Sequence, residues 1–139
     1  MSAKDKIHDA VKQALIKDGW VITHDPLTLR YKGARVFVDL GAERIIAAER
    51  ANEKIAVEIK SFIAPSVMHE LEGAIGQYVI YLSFLEQVEP ERKLYIAISH
   101  LVYLSAFKHA ALQMLIQRNR ISLVVVNVAE EQVAQWIPN

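Results

Sequence analysis

Apolar residues recur at Ile7, Ala10, Val11, Ala14, Leu15 and Ile16, the three-to-four spacing of one helical face. This predicts an amphipathic helix over 5–17, ended by Asp18-Gly19, with Lys4, Lys6, Lys12 and Lys17 on its solvated side. The pattern then shortens towards period two. Residues 20–23 read as a short strand broken by Asp25-Pro26, and 35–40 as a second β run between Gly33 and Gly41. Residues 44–49 and 54–59 read as two strands joined by the polar connection Arg50-Ala51-Asn52-Glu53. After Ser61 the helical period returns. Pro65-Ser66 opens a helix carrying Leu71, Ala74, Ile75, Tyr78, Leu82 and Leu85, which ends near Glu86, before Glu89-Pro90-Glu91. Gly73 and Gly76 in that helix allow close packing of a neighbour. A strand follows over 94–98, then a helix over 101–118. The stretch 121–128 is almost continuously apolar and β-branched, as in a strand covered on both faces. Alternation at Val133 and Gln135, with Trp136, predicts a short edge strand.

The order is α-β-β-β-α-β-α-β. Three early strands form an antiparallel meander and the later ones join through helical crossovers, giving an α/β architecture in which helices flank a mixed sheet. The 139 residues suit a single domain, long enough to bury a core without disulfides or structural metal.

Composition narrows the chemistry. Hydrophobic residues make up 53% of the chain, which excludes disorder and leaves room for an oligomeric or partner surface. There is no cysteine, so thiol nucleophiles and thiolate zinc sites are excluded. The charged Met-Ser-Ala-Lys-Asp-Lys start shows no apolar signal region, and no stretch approaches the roughly 20 apolar residues that span a bilayer. A cytoplasmic protein without membrane association is expected. Sixteen basic residues balance sixteen acidic ones. That balance argues against strong nonspecific nucleic-acid binding, although local patches outweigh the sum.

The richest stretch is 54–62, K-I-A-V-E-I-K-S-F. In a strand, Ile55, Val57 and Ile59 point one way and Lys54, Ala56, Glu58 and Lys60 the other. A carboxylate and an ammonium two residues apart, in an otherwise buried strand, are costly without partners. Nineteen residues upstream, Asp39 closes the run Val36-Phe37-Val38-Asp39. Asp39 and Glu58 on neighbouring strands suit Mg²⁺, which prefers oxygen ligands, and the Ile59 carbonyl could complete the set. Lys60 would orient or deprotonate a water and stabilise transition-state charge. Gln77 and Tyr81, four apart on the next helix, share a face, with Glu70 roughly on it; Gln77 could reach substrate phosphate or a metal-bound water, and Tyr81 support it. The simpler alternative is a solvated sheet face, a strand-ending Asp and a polar helix flank. Glu-x-Lys alone favours that alternative, and the surrounding α-β-β-β-α-β order favours the metal site. His69-Glu70 starts like a zincin helix, but position 73 is Gly, and the five histidines show no zinc spacing.

These residues resemble the PD-(D/E)XK nuclease superfamily, whose fold is restriction-endonuclease-like. More specifically, the chain resembles the XisH family of fdxN-element excision controlling factors. The resemblance rests on A-V-K-Q-A-L-I-K-D-G-W (10–20), T-H-D-P-L (23–27), V-D-L-G-A-E (38–43), A-V-E-I-K-S-F (56–62) and the Gly76-Gln77 helix with Tyr81. It implies Asp39 and Glu58 as metal ligands, Lys60 as catalytic lysine, and Gln77 and Tyr81 as a Q-x-x-x-Y motif. Val38 stands where the superfamily has its proline. The first helix offers Asp5, His8 and Asp9 in place of the Glu that some members use.

The family is associated with programmed DNA excision in cyanobacteria, beside a recombinase and a small XisI-type protein. The resemblance therefore implies a Mg²⁺- (or Mn²⁺-) dependent endonuclease acting on DNA. Two other readings stay open: a noncatalytic accessory module that binds DNA, an XisI-like protein or a second copy of itself as a homodimer, and a nuclease restrained by its small partner in a toxin–antitoxin-like pair.

Overall fold

A computed structural model describes residues 3–46 and 51–139. Helix α1 (Ala3–Lys17) buries Ile7, Ala10, Val11, Ala14 and Leu15, the face its spacing predicts, while Ile16 stays exposed. The Gly19 N–H donates to Ile16 O and the Trp20 N–H to Leu15 O, each at 3.0 Å, a Schellman closure. Gly19 takes the positive φ, 96°, that this closure needs.

The strands are β1 (Val21–His24), β2 (Leu27–Tyr31), β3 (Ala34–Val38), β4 (Leu40–Ile46), β5 (Ala51–Ile59), β6 (Lys93–Ser99), β7 (Leu123–Asn127) and β8 (Gln132–Ile137). The helices after α1 are α2 (Val67–Val88), α3 (His100–Ser105) and α4 (Ala110–Arg118). Six strands form one sheet in the order β1-β4-β5-β6-β7-β8. The pairs β1/β4, β4/β5 and β7/β8 are antiparallel, whereas β5/β6 and β6/β7 are parallel and need helical crossovers. This is the mixed α/β sheet flanked by helices that the element order predicts, with β8 on the edge. Its meander is built from β1, β4 and β5.

Five sequence expectations need correction. The run 35–40 is two elements. Ala34–Val38 pairs with a strand the sequence reading missed, Leu27–Tyr31, in a separate two-stranded sheet, and the chain bends at Asp39 before entering β4. Gly41 lies within β4, not after a strand; a Cβ there would meet the His24 Cβ at 3.2 Å, so close approach of β1 explains the glycine. The polar connection is shorter than expected, because Ala51, Asn52 and Glu53 already pair with Ile46, Ile45 and Arg44. The predicted strand residues 47–49, and Arg50, lie outside the described residues.

The helix over 101–118 is broken. It becomes α3, a 3-10 turn over Ala106–Lys108, an extended His109 (φ −67°, ψ 131°) and α4. At 3.6 residues per turn, Phe107 and Ile116 would face opposite ways on one continuous helix. The break re-phases the chain so that both enter the same core. Finally, the close packing expected at Gly73 and Gly76 is not made among the described residues, since a Cβ at either would touch nothing within 4 Å.

Two cores sandwich the sheet. One lies between α1 and the sheet and gathers Val11, Leu15, Trp20, Leu40, Ile55, Val57 and Val124. The other, on the opposite face, gathers Leu71, Tyr78 and Leu85 of α2, Phe107, Ile116, Leu27 and Leu29 around Ala56, Ile96 and Ile98. The Tyr78 hydroxyl pins α2 to the sheet: it donates to Leu94 O and accepts from the Ser122 N–H, both at 3.2 Å. Among the described residues no helix is long and apolar enough to cross a membrane.

Candidate functional site

Alternation along β5 builds the site. Val57 enters the α1-side core and Ala56 the opposite one, so Glu58 points towards the α2 layer and is 7% exposed. Backbone directions alternate as well. The Lys60 N–H donates to Ala97 O on the β6 side at 3.0 Å, so Ile59 turns its N–H and carbonyl to the opposite side. There the chain bends at Asp39 before β4 begins. The Ile59 N–H donates to Asp39 Oδ2 at 2.8 Å, and the Asp39 N–H donates to Glu58 Oε1 at 3.2 Å. These two bonds continue the β4–β5 register, in which Leu40 faces Val57, through side chains. Lys60 Nζ lies 3.5 Å from Glu58 Oε2.

The electrostatics are those of a buried carboxylate. Burial pushes the Glu58 carboxyl up to about 7, the Asp39 charge adds to the rise, and Lys60 opposes it. Burial also pushes the Tyr81 phenol up to about 12, helped by the charges of Glu58 and Asp39. Glu58, Asp39 and Tyr81 therefore share one field.

Beyond β5 the chain opens a cavity of about 630 Å³. Asp39, Ile59, Lys60, Ser61 and Ile63 line one side, His69, Glu70, Gly73, Ala74 and Gln77 of α2 another, and Ile7 and His8 of α1 a third. Ser66 caps α2 by accepting from the His69 N–H, and Glu70 accepts from the Ala64 N–H, each at 3.2 Å, which fixes the connecting loop. Phe62 in that loop has φ 52°, uncommon for a bulky residue. Its buried ring sits edge-on to Phe107 with centroids 5.2 Å apart, a contact that holds the turn.

Of the residues singled out in the sequence, Asp39, Ile59, Lys60 and Gln77 meet on this cavity, Glu58 lies beneath Asp39, and Tyr81 stands one turn beyond Gln77. Among the first-helix candidates only His8 reaches the cavity; Asp5 and Asp9 are exposed elsewhere on α1. His8 is held by a residue 17 positions away in the chain. Its Nε2 lies 2.9 Å from Asp25 Oδ1, while Lys12 Nζ donates to Asp25 Oδ2 at 2.9 Å. Desolvation works the other way, but the bonds from Lys12 and His8 hold the Asp25 carboxyl below its ordinary value. Only the position of Asp25, inside the T-H-D-P-L stretch, hinted at this.

The donor set fits a hard divalent cation. Asp39, Glu58 and the Ile59 carbonyl offer oxygen only, and the two carboxylates repel each other in a poorly solvated place. Gln77 Oε1 is buried without a hydrogen-bond partner among the described residues, as expected of a group awaiting a donor or an ion. Among the described residues there is no cluster of three or more His, Asp and Glu groups able to hold a metal, so a cation here would keep several waters or substrate oxygens.

A mixed sheet with an antiparallel β-meander, a helical crossover and acidic groups at the end of the strand before it defines a restriction-endonuclease-like α/β protein. The sequence profile of the XisH protein family matches residues 1–134, and the chain belongs to that family. It is similar to two crystal structures. One is an XisH family protein from Nostoc punctiforme PCC 73102, 39% identical over 96% of this chain and 99% of that one, with a TM-score of 0.86. The other is an fdxN element excision controlling factor protein from Anabaena variabilis, 39% identical over 96% of this chain and 98% of that one, also with a TM-score of 0.86. No functionally curated protein matches.

Proposed function

We propose that this protein acts in programmed DNA rearrangement, as an fdxN-element excision controlling factor with Mg²⁺-dependent endonuclease activity. The observation that carries the reading is the clustering of two carboxylates and a lysine, with Asp39 and Lys60 lining one open cavity and buried Glu58 in contact with both. The name of the Anabaena relative supplies the biological setting.

Asp39, Glu58 and the Ile59 carbonyl would hold Mg²⁺, or Mn²⁺ in its place, and the ion would supply Lewis-acid polarisation of a phosphodiester. Lys60, kept beside Glu58, orients an attacking water and stabilises the negative charge that grows on phosphorus-bound oxygens. Gln77 presents its amide to the substrate phosphate from α2, and Tyr81, kept neutral by burial and the adjacent charges, supports the helix beneath it.

A second reading, a noncatalytic accessory module, draws on exposed apolar residues such as Leu101 and Leu104 (68% and 50% exposed), which suit docking of an XisI-like protein, a recombinase or a second copy. One experiment separates the two. The protein is incubated with supercoiled and branched DNA in Mg²⁺ or Mn²⁺, with Lys60→Ala and Glu58→Ala alongside. The expected result is cleavage by the wild type alone. Cleavage retained by both variants would remove the site. No cleavage together with no Mn²⁺ binding would favour the accessory module, and pull-downs would then identify its partner.

A further inference from the structure

We propose that the β2–β3 hairpin is a DNA-gripping ribbon that seats the duplex backbone beside Asp39; the proposal deepens the DNA reading above and rests on it. The hairpin's two faces are chemically opposite. Leu27, Leu29 and Val38 are buried and, with Val36, pack into the α2-side core. The outward face consists of the cross-strand pairs Thr28↔Phe37 and Arg30↔Arg35. At the tip, Lys32 and Gly33 both have positive φ (46° and 84°), a two-residue type I′ turn that projects a third cation.

Residues 27–38 thus carry three cations and no carboxylate, in a chain whose charges balance only when these are included. Among the described residues none of the three is in an ion pair, whereas Lys12, Arg44, Lys54, Lys60 and Arg92 have acidic partners. Arg30 and Arg35 stand directly opposite each other, an arrangement that costs stability. Among the described residues no carboxylate compensates for it. An external polyanion would.

The aromatic residues strengthen the case. The Arg35 guanidinium lies 5.6 Å from the centroid of the Phe37 ring, itself 50% exposed, and Lys32 Nζ lies 5.4 Å from that of Tyr31. These contacts hold the cations over the ribbon instead of letting them sweep through solvent. The hairpin is not hydrogen-bonded into the six-stranded sheet. A free two-stranded ribbon has the cross-section that enters a DNA major groove, and arginine forks suit phosphate oxygens. The ribbon also leads straight into the site: four strand steps separate Arg35 from Asp39, about 13 Å. At about 3.4 Å of duplex axis per base pair, that distance matches roughly four base-pair steps.

The test measures binding of a labelled duplex by fluorescence anisotropy in EDTA, where no cleavage occurs, across a salt series. R30Q/R35Q is expected to bind at least about tenfold more weakly at moderate salt. The slope of log affinity against log salt should fall by about 2, near 0.9 for each phosphate no longer neutralised. R30K/R35K should keep most of the slope. The Q/Q variant should melt no lower than wild type, since the repelling pair is gone.

Wild-type affinity and slope in R30Q/R35Q would overturn the proposal. So would a wild type that prefers single strands or an acidic polypeptide such as poly-glutamate to the duplex. Failure of the nuclease reading looks different. Hairpin-dependent binding without cleavage in Mg²⁺ removes the endonuclease and leaves the ribbon standing, whereas equal cleavage by wild type and R30Q/R35Q does the reverse.

Discussion

The two faces of strand β5 differ in what they are asked to do. On the α1 side, Ile55 and Val57 meet Val11, Leu15 and Leu40 in an apolar layer. On the α2 side the same strand runs from Lys54 through buried Ala56 to Glu58, which it places where water is scarce, beside a second carboxylate and a lysine. One face maximises burial. The other gives up some burial to hold charges in a fixed arrangement, as functional sites commonly do. The difference sits at the carboxyl end of the strand, just before the α2 crossover, where open α/β sheets place their ligands.

The contrast can be broken by substitution, and the largest effect is expected at the charged end. Lys60→Ala should lower metal-dependent DNA cleavage at least about 100-fold while leaving the melting temperature nearly unchanged, because Lys60 is partly exposed. Single-turnover cleavage and a thermal melt on the same sample check both halves. A large fall in melting temperature would mean that Lys60 serves the fold.

Leu15→Ala on the apolar face should behave in the opposite way. Leu15 is fully buried, so about 2–5 kcal/mol of stability should disappear, while cleavage per folded molecule stays the same. Urea unfolding monitored alongside activity would show whether the two layers are this independent.

A smaller, pH-dependent effect follows from Glu58. Its folded-state pKa, about 7, stands above the ordinary 4.5, so the fold favours the protonated form. The resulting stability is fully present below 4.5 and is lost as pH rises through about 7. Metal-free wild type should therefore lose stability across that window, Glu58→Gln should lose less, and Mn²⁺ should restore the wild type at the upper end. Parallel wild-type and variant curves would show that Glu58 ionises in the fold without cost.

The smallest effect sharpens the comparison. Gly73 lines the cavity, and a Cβ there would touch nothing within 4 Å. Gly73→Ala should raise helix stability by about 1 kcal/mol and slow cleavage a few-fold by narrowing the mouth. A variant both more stable and equally active would show that substrate does not approach α2 at that point.

Much of this architecture was legible because it follows from local period. The α1 face, the extent of α2 with its Ser66 cap, the edge strand β8 and the split of β5 into an apolar and a charged face were all visible as spacings of 3.6 or 2. The β2–β3 hairpin escaped notice although Leu27, Leu29 and Tyr31 alternate, because Asp25-Pro26 reads as the start of a loop and Lys32-Gly33 is a weaker turn signal than Asn-Gly. The broken helix escaped because no proline or glycine marks it; packing of Phe107 against Phe62 decides it.

By itself, the sequence determined which residues could share a face and which side chains carry chemistry, since both depend on neighbours a few positions away. Only the tertiary structure decided that Asp39 leaves one sheet to stand opposite Glu58 in another, that His8 reaches the same cavity, and that burial raises the Glu58 pKa. Register, depth and field are set by segments distant in the chain, and no local spacing encodes them.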